Sequence, residues 1–245
     1  MGAYLTFPFD RFLVKLSEIL FISKFMPALP EVEAIKTHLV NRFIGKQILN
    51  LKIDPSIGYF KNESRLVNQK IVSIFRLGQY LFFCLSSSDY FIFDMKGKAN
   101  VQVLSKQDPY SNGHLMSIFF DENYRLDFQG NKPSNRFMLS KNFDAFEAKL
   151  GLDPISDYFT YSHFKKILEK KSNSSIKRVL LDQSVIAGIN EPYARKICEI
   201  SAINPGTKIK ELHLNHEEKV YHAIKEVLKQ AVSIKSQSIG LKFPY

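Results

Sequence analysis

Residues 26–45 read MPALPEVEAIKTHLVNRFIG, and this stretch predicts the first helix of the fold. Pro30 suits the first turn, where a missing N–H costs nothing, and Glu31 complements the positive end of the helix dipole. Apolar residues recur at helical spacing and form one face, namely Val32, Ile35, Leu39, Val40 and Phe43. Gly45 ends the pattern. We therefore expect a helix that begins near Leu29 and buries one face.

Short β-rich runs fill residues 46–140 after this helix. In chain order they are KQILNLKI, KIVSIFRL, YLFFCLS, YFIFDM, NVQVL, LMSIFF, RLDFQ and RFMLS. Turn-forming segments such as residues 86–89 (SSSD) and 96–98 (KGK) separate them. This spacing predicts an antiparallel β-sandwich or barrel.

Helical patterns return after residue 161, in SHFKKILEKK, SSIKRVLLDQ, EPYARKICEIS and a long final run from Asn215. Gly, Pro and Asp interrupt both periodicities over residues 150–161 (LGLDPISDYFTY), which places the joint there. We expect an α+β protein with an N-terminal helix and antiparallel β-sandwich at residues 26–150. An all-helical domain follows at residues 151–245, and residues 1–25 form an extension.

Composition and charge favour a globular protein that binds a polyanion. Of the 245 residues 45% are hydrophobic, which is enough for real cores, and the two cysteines support neither a disulfide framework nor a four-thiolate zinc site. The net charge is +10, and residues 162–245 hold 15 basic and 8 acidic residues. Nucleic acid is the partner that this asymmetry indicates. A solubilising lysine surface is the alternative.

Residues 1–25 are a separate question. Residues 11–25 (RFLVKLSEILFISKF) have roughly helical spacing of apolar residues, which predicts at best a short amphipathic helix. The stretch lacks a secretory cleavage site, and Asp10 and Glu18 argue against an organellar presequence. A start of translation at Met26 is another interpretation. No window of 18 apolar residues occurs, so we expect no membrane span. The use of only two cysteines, without a disulfide framework, favours a reducing, intracellular setting.

Several motifs together resemble the formamidopyrimidine-DNA glycosylase and endonuclease VIII (Fpg/Nei) family. Residues 26–33 (MPALPEVE) are similar to that family's MPELPEVE opening. Further matches follow in the family's order: residues 76–81 (RLGQYL), 95–97 (MKG), 136–137 (RF), 150–154 (LGLDP), 176–177 (IK), 180–183 (LLDQ), 185–189 (VIAGI), 193–194 (YA) and 203–205 (INP). The resemblance covers about residues 26–235 and implies a helix-two-turn-helix domain in the C-terminal half.

The resemblance implies a specific chemistry and also shows departures from it. Family enzymes flip a damaged base, attack the sugar C1′ with the amine of an N-terminal proline, and cut the strand through a Schiff base. Pro27 is the matching proline, but with residues 1–26 attached its nitrogen is an amide. The family's acid follows the proline directly, and here that position holds Ala28, whose methyl transfers no proton. Glu31 is the remaining candidate carboxylate, or a residue that only matches the helix dipole.

The resemblance also assigns nucleic-acid contacts. Gln79 stands where the family has a phosphate-binding lysine, and Ile92 where it has a histidine. Met95 and Phe137 match residues that fill the gap left by the flipped base, although a core role is the alternative for both. The other expected contacts are Lys96, Arg136, Asn190, Tyr193, Arg195 and Lys196. At residues 190–191 the family's Gly-Asn pair reads Asn190-Glu191, which places a carboxylate near the DNA backbone.

We expect no cofactor and no metal. The family commonly ends in a zinc finger or a metal-free equivalent, and this chain has neither its thiolates nor its length. His213, His216 and His222 lack partners at ligand spacing, and Cys84 and Cys198 lie in apolar contexts typical of packing residues.

The leading interpretation is a monomeric protein of this repair family that binds double-stranded DNA, damaged or abasic, with glycosylase and lyase activity lost or reduced. Two alternatives stay open. One is an active glycosylase and abasic-site lyase that begins at Pro27. The other is a structural module that binds RNA or protein through the same fold.

Overall fold

A computed structural model describes residues 27–57, 63–131 and 136–240 of the chain. The expected amphipathic helix at residues 11–25 and the start at Met26 lie outside these residues. The described part forms two layers of β-sheet preceded by one helix and followed by a helical half. The first helix, α1, spans Leu29–Phe43. The N–H of Leu29 is satisfied by the carbonyl of Gly188 at 2.8 Å, so contacts between the two halves begin in its first turn.

Eight antiparallel strands follow α1, and they confirm the predicted sandwich. Their bounds are β1 Asn50–Ile53, β2 Ile71–Leu77, β3 Tyr80–Leu85, β4 Tyr90–Asp94, β5 Asn100–Ser105, β6 His114–Phe119, β7 Tyr124–Gln129 and β8 Phe137–Ser140. One sheet has the order β1-β6-β7-β5 and the other β2-β3-β4-β8. Each expected β-rich run contributes one strand: β5 alternates buried and partly buried residues, whereas β4 and β6 contain continuous buried runs bounded by turn signals.

The core between the two sheets is rich in aromatic side chains. Phe91, Phe93, Phe128 and Phe137 pack with ring centroids 5.0 to 5.9 Å apart, in stacked and edge-to-face pairs. The apolar face of α1 covers the same core, with Val32, Ile35, Leu39 and Phe43 buried in it. The sandwich and the part of α1 from Val32 onward therefore fold around one hydrophobic core.

Among the described residues, five α-helices follow the sandwich, one more than expected. They are α2 Asp144–Glu147, α3 Tyr161–Lys170, α4 Ile176–Leu181, α5 Glu191–Ile200 and α6 Leu214–Gly240. The short α2 has no amphipathic period that would reveal it in the sequence. Helices α3 to α6 enclose a second core, which includes Phe164, Leu180, Ile197, Cys198 and Leu228. Ala28, at the start of α1, packs in this second core, so α1 contributes to both.

Two close backbone approaches join the halves. Gly151 donates its N–H to the carbonyl of Gln183 at 2.8 Å, and a Cβ at Gly151 would lie 2.1 Å from the carbonyl carbon of Val185. Gly188 has φ +88°, and a Cβ there would lie 2.7 Å from the Cβ of Leu29. Residues with side chains cannot occupy either position without moving the backbone.

A buried arginine crosses the same junction. Arg76 of β2 donates to Glu33 of α1 at 2.9 Å and to Asp153 in the segment after the sandwich at 2.6 Å. Only 3% of its side chain is exposed, so both carboxylates compensate a charge that water does not reach. Burial alone would raise the pKa of Glu33, but the hydrogen bond from Lys36 and the charge of Arg76 lower it overall. Arg76 thus ties three segments into one unit.

Within the described residues, none of the helices combines the length and the apolar character needed to cross a lipid bilayer.

The close backbone contact at Gly151 predicts that a side chain at this position destabilises the protein. Gly151→Ala forces the loop of Val185 away from the linker, and we expect it to lower the free energy of unfolding by about 3 kcal/mol. Gly206→Ala is the matched control, because the nearest atom to its Cβ is the side-chain oxygen of Asn204 at 3.3 Å. Denaturant titration of both variants checks this. Equal stabilities for the two variants would contradict the proposed close approach.

Candidate nucleic-acid interface

A cleft of about 410 Å³ lies between the sandwich and the helical half. Its walls come from the start of α1, the β2–β3 and β4–β5 turns, residue 150, and the loop that leads into α5. The lining residues are Pro27, Ala28, Gln79, Tyr80, Lys96, Gly97, Leu150, Leu181, Gln183, Gly188, Ile189, Asn190 and Glu191. Four residues assigned from the sequence, Pro27, Gln79, Lys96 and Asn190, therefore meet at one place.

The first two residues of the described chain form one wall of this cleft. Pro27 is partly exposed, and Ala28 is 2% exposed with an extended backbone that caps α1. The methyl group of Ala28 offers no side-chain acceptor to the N–H groups of the first turn, and no proton donor to the cleft. The position next to Pro27 is therefore chemically inert.

Glu31 is buried and fully engaged. Its Oε2 accepts from the N–H of Ala28 at 3.0 Å, and its Oε1 accepts from the hydroxyl of Tyr193 at 2.8 Å. The ammonium of Lys235 lies 3.4 Å from the same Oε1. One carboxylate thus caps α1 and binds both α5 and α6. These contacts support a structural role for Glu31, and its catalytic role stays a prediction.

The β2–β3 turn brings a neutral amide to the opposite wall. Gln79 donates to Asp94 Oδ1 at 2.9 Å, and the backbone N–H of Lys96 donates to the same oxygen. Burial and then the charge of Asp94 raise the pKa of the neighbouring Tyr80, so that hydroxyl stays protonated at neutral pH. Lys96 is exposed. Lys96 is the cation of this wall that is open to an incoming phosphate.

The expected gap-filling residues are in the core. Met95 is 0% exposed and Phe137 is 8% exposed, and both belong to the sandwich cluster. The apolar strand ends pack inward because the β4–β8 pairing places Phe93 opposite Phe137. The structure therefore favours the core interpretation of both residues over insertion into DNA.

Arg136 also differs from the expectation of a phosphate contact. It is 6% exposed, and its guanidinium donates to the carbonyls of Asn131 at 2.7 Å, Asp94 at 3.2 Å and Lys96 at 2.5 Å. Burial lowers its pKa, and the charge of Asp94 opposes that shift. Arg136 holds the β4–β5 turn in shape and so positions Lys96 indirectly.

A glutamine organises the loop on the helical side. Gln183 donates to the carbonyls of Leu181 and Ile189 and accepts from the N–H of Gly188 at 2.7 Å. Asn190 then caps α5 through an acceptor contact with the N–H of Tyr193 at 3.3 Å. The loop is therefore fixed by side-chain hydrogen bonds, and its backbone lies against the cleft.

Glu191 is paired with two cations. Lys177 Nζ lies 2.6 Å and Arg195 Nη2 lies 3.1 Å from Glu191 Oε1. The hydrogen bonds from Lys177 and Arg195 lower the pKa of Glu191, although partial burial opposes them. The carboxylate expected beside the DNA backbone is thus present, but it is neutralised by its neighbours.

Tyr193 and Lys196 lie on the inner side of α5. Tyr193 is 0% exposed and its hydroxyl binds Glu31. Lys196 is 2% exposed and its ammonium donates to Glu199 at 3.2 Å. Neither side chain faces solvent, so the direct contact with nucleic acid that we expect from the resemblance stays a prediction for both. Arg195 does face solvent, with 70% of its side chain exposed.

Three residues of this region were not assigned from the sequence as site residues. All three, Lys177, Gln183 and Tyr80, were noted only as parts of matching motifs or of a β-rich run. Lys177 lies 14 positions before Glu191 in the sequence, so only the packing of α4 against α5 brings them together. The signal that could have suggested Lys177 is its place among the basic residues of the C-terminal half.

His213 immediately precedes α6, and His216 and His222 lie within it. The rings of His213 and His216 lie 5.6 Å apart. Across the residues that the structure describes, no three His, Cys, Asp or Glu side chains are grouped closely enough to hold a metal ion.

The hydrogen bond from the hydroxyl of Tyr193 to Glu31 can be tested by mutation. Tyr193→Phe removes a buried donor from a charged acceptor, and we expect the free energy of unfolding to fall by about 1.5–3 kcal/mol. Tyr158→Phe is the control, because Tyr158 is 80% exposed and its change should stay within about 0.5 kcal/mol. Thermal and denaturant unfolding check both. A Tyr193→Phe variant as stable as the control would show that the hydrogen bond contributes nothing.

Comparison with known proteins agrees with this arrangement. Residues 26–136 match the model of the formamidopyrimidine-DNA glycosylase N-terminal domain, and residues 150–242 match that of the formamidopyrimidine-DNA glycosylase H2TH domain. The formamidopyrimidine-DNA glycosylase of Ureaplasma parvum is 31% identical over 224 residues, which cover 87% of this chain and 81% of that protein. The Mycoplasma pneumoniae formamidopyrimidine-DNA glycosylase is 29% identical over 227 residues, covering 88% and 81%.

A solved structure shares the fold. The Lactococcus lactis formamidopyrimidine-DNA glycosylase, bound non-covalently to DNA containing an AP site, superposes with a TM-score of 0.78 at 22% identity, covering 88% of this chain and 84% of that one. Together with the helix, the two-sheet sandwich and the helical half described above, these matches assign the protein: the chain belongs to the formamidopyrimidine-DNA glycosylase (Fpg/Nei) family.

Proposed function

We propose that this protein binds duplex DNA containing a damaged or abasic site in the cleft between its two halves, with glycosylase and lyase chemistry lost or much reduced. The observation that carries the proposal is the pair Pro27-Ala28 on the cleft wall. Pro27, which matches the family's nucleophile, lines the cleft, but Ala28 beside it has no group that can move a proton.

Glu31 is poorly placed to substitute for the missing acid. Proton transfer needs an oxygen that can exchange its partner during the reaction, and both oxygens of Glu31 are already bound by groups from α1, α5 and α6. Releasing any of these would remove one of the donors that compensate a buried carboxylate. The same carboxylate that stabilises the fold is therefore a poor proton carrier.

The charges around the cleft support DNA binding without supporting catalysis. Lys96 on one wall and Lys177 and Arg195 beside the other are partly or fully exposed. Contacts of this kind to phosphates are independent of base sequence and release counterions. Gln79, in contrast, contributes an amide already bound to Asp94. The Lactococcus lactis relatives include complexes with DNA that contains an abasic site, which suggests the same ligand for this protein.

The binding part is tested with a duplex that carries a tetrahydrofuran abasic analogue, and with the same duplex undamaged. We expect binding at low salt that weakens about tenfold or more between 50 and 200 mM salt. Lys96→Gln should weaken binding. It should also make the slope of log K against log salt shallower by about 0.9, the contribution of one phosphate contact. Lys166→Gln, an exposed change on α3 away from the cleft, should have no effect. Absence of binding at low salt, or preference for structured RNA in competition, would refute DNA as the ligand.

The chemical part is tested by borohydride trapping on abasic DNA with protein that begins at Pro27. We expect little or no covalent adduct, because the nucleophile lacks an adjacent acid. Ala28→Glu in the same protein should raise the trapped fraction, and Pro27→Gly serves as the control for the nucleophile. The measurement is the yield of trapped adduct over time on a denaturing gel.

An active glycosylase and abasic-site lyase is the second candidate. It is favoured by the position of Pro27 on the cleft wall and by the proximity of Glu31, which is 3.0 Å from the next backbone nitrogen. In the full sequence the Pro27 nitrogen is bonded to the carbonyl of Met26, so this function requires cleavage before Pro27. An adduct of the unmodified Pro27-initiated protein, lost in Pro27→Gly, would establish this second candidate in place of the first.

A further inference from the structure

A carboxylate and two cations form a compact cluster at the edge of the cleft. One oxygen of Glu191 contacts both Lys177, at 2.6 Å, and Arg195, at 3.1 Å. The three side chains remain partly open to solvent, with exposed fractions of 38%, 36% and 70% in that order. Glu191 also lines the cleft itself. The cluster is therefore accessible from the side on which a DNA backbone would approach.

The geometry of this cluster matches the way proteins hold a phosphate oxygen. Lysine and arginine donate to phosphate oxygens over about 2.7–2.9 Å, as they do to carboxylates. We propose that Glu191 occupies the place of a DNA phosphate between Lys177 and Arg195, and thereby sets the affinity of this protein for duplex DNA. The inference rests on the proposed function and adds to it a residue that opposes binding.

The surface next to the cluster supports this position for a phosphate. A shallow depression adjoins the cleft and is lined by Ser175, Lys177, Arg178, Leu181 and Asp182. Lys177 is thus shared between the cluster and a second basic site on the same face. A DNA backbone that follows this face passes Lys177, and Glu191 is the carboxylate it meets there. Asp182 is itself bound by Lys171 at 3.1 Å, so it presents less free charge.

Charge counting gives the size of the effect. With Glu191 ionised the cluster carries a net charge of +1, and without it +2. The hydrogen bond from Lys177 is the main cause of the lowered pKa of Glu191, so the carboxylate is ionised at neutral pH. Each phosphate neutralised contributes about −0.9 to the slope of log K against log salt. Removal of the carboxylate should therefore change both the affinity and this slope.

The test uses Glu191→Gln in the full chain, with the abasic-analogue duplex as the probe. We expect binding about three- to tenfold tighter than wild type near 100 mM salt, and a slope steeper by about one. Glu169→Gln is the matched control, because it makes the same charge change on an exposed residue of α3 outside the cleft. It should change neither quantity. Glu191→Ala should reproduce the gain, and thermal unfolding establishes that each variant is folded.

A double-mutant cycle separates competition for a phosphate from a general charge effect. Lys177→Gln should weaken binding more in the Glu191→Gln background than in wild type, because only there is the lysine free for DNA. Affinity unchanged or lowered in folded Glu191→Gln and Glu191→Ala, or a gain equal to that of Glu169→Gln, would overturn this inference while wild-type binding leaves the proposed function intact. Failure of the wild-type protein to bind the duplex would overturn both.

Discussion

The contacts of the buried Glu31 carboxylate are the interaction on which the packing of the two halves depends. A charge removed from water requires compensation, and here the three donors come from the start of α1, from α5 and from α6. Because these donors lie on separate segments, the compensation exists only when both halves are assembled. The first turn of α1 is thereby fixed against the helical half, and Pro27 is held on the cleft wall. Arg76 provides a second such link, in which a buried cation is compensated by the carboxylates of Glu33 and Asp153.

The charged side chains near the cleft differ in how deeply they are buried. Those deepest in the junction, on Glu31, Arg76 and Arg136, are fully used by the fold, whereas Lys96 and Arg195 remain available at the rim. The charged groups that hold the two halves together are buried and paired, whereas Ala28 and Gln79 place a methyl group and an amide at the cleft.

The strands and the main helices could be predicted because their signals are local. Short runs rich in apolar residues between turn residues locate β1 to β8, and the apolar face from Val32 to Phe43 locates α1. The short α2 was missed because four residues carry no periodicity. In the candidate site, Ala28 and Gln79 could be identified by reading along the chain. The burial of Arg136 and Lys196 could not, because it depends on carbonyls and carboxylates supplied by turns and helix faces that only the folded chain defines. Arg136 and Lys196 are residue types that usually lie on the surface, but in the folded chain both are buried and stabilise the structure.

The division of α1 between two cores has a consequence for how such a chain can diversify. Ala28 packs with the helical half, whereas Val32 to Phe43 pack with the sandwich, and Leu29 approaches Gly188 too closely for any side chain there. Consider a chimaera that keeps the α1 of this chain and takes its helical half from another relative. The loop around Gly188 would then come from one protein and Leu29, which it contacts, from the other. The few residues at each end of this contact must therefore be inherited together, although about 160 positions separate them in the sequence.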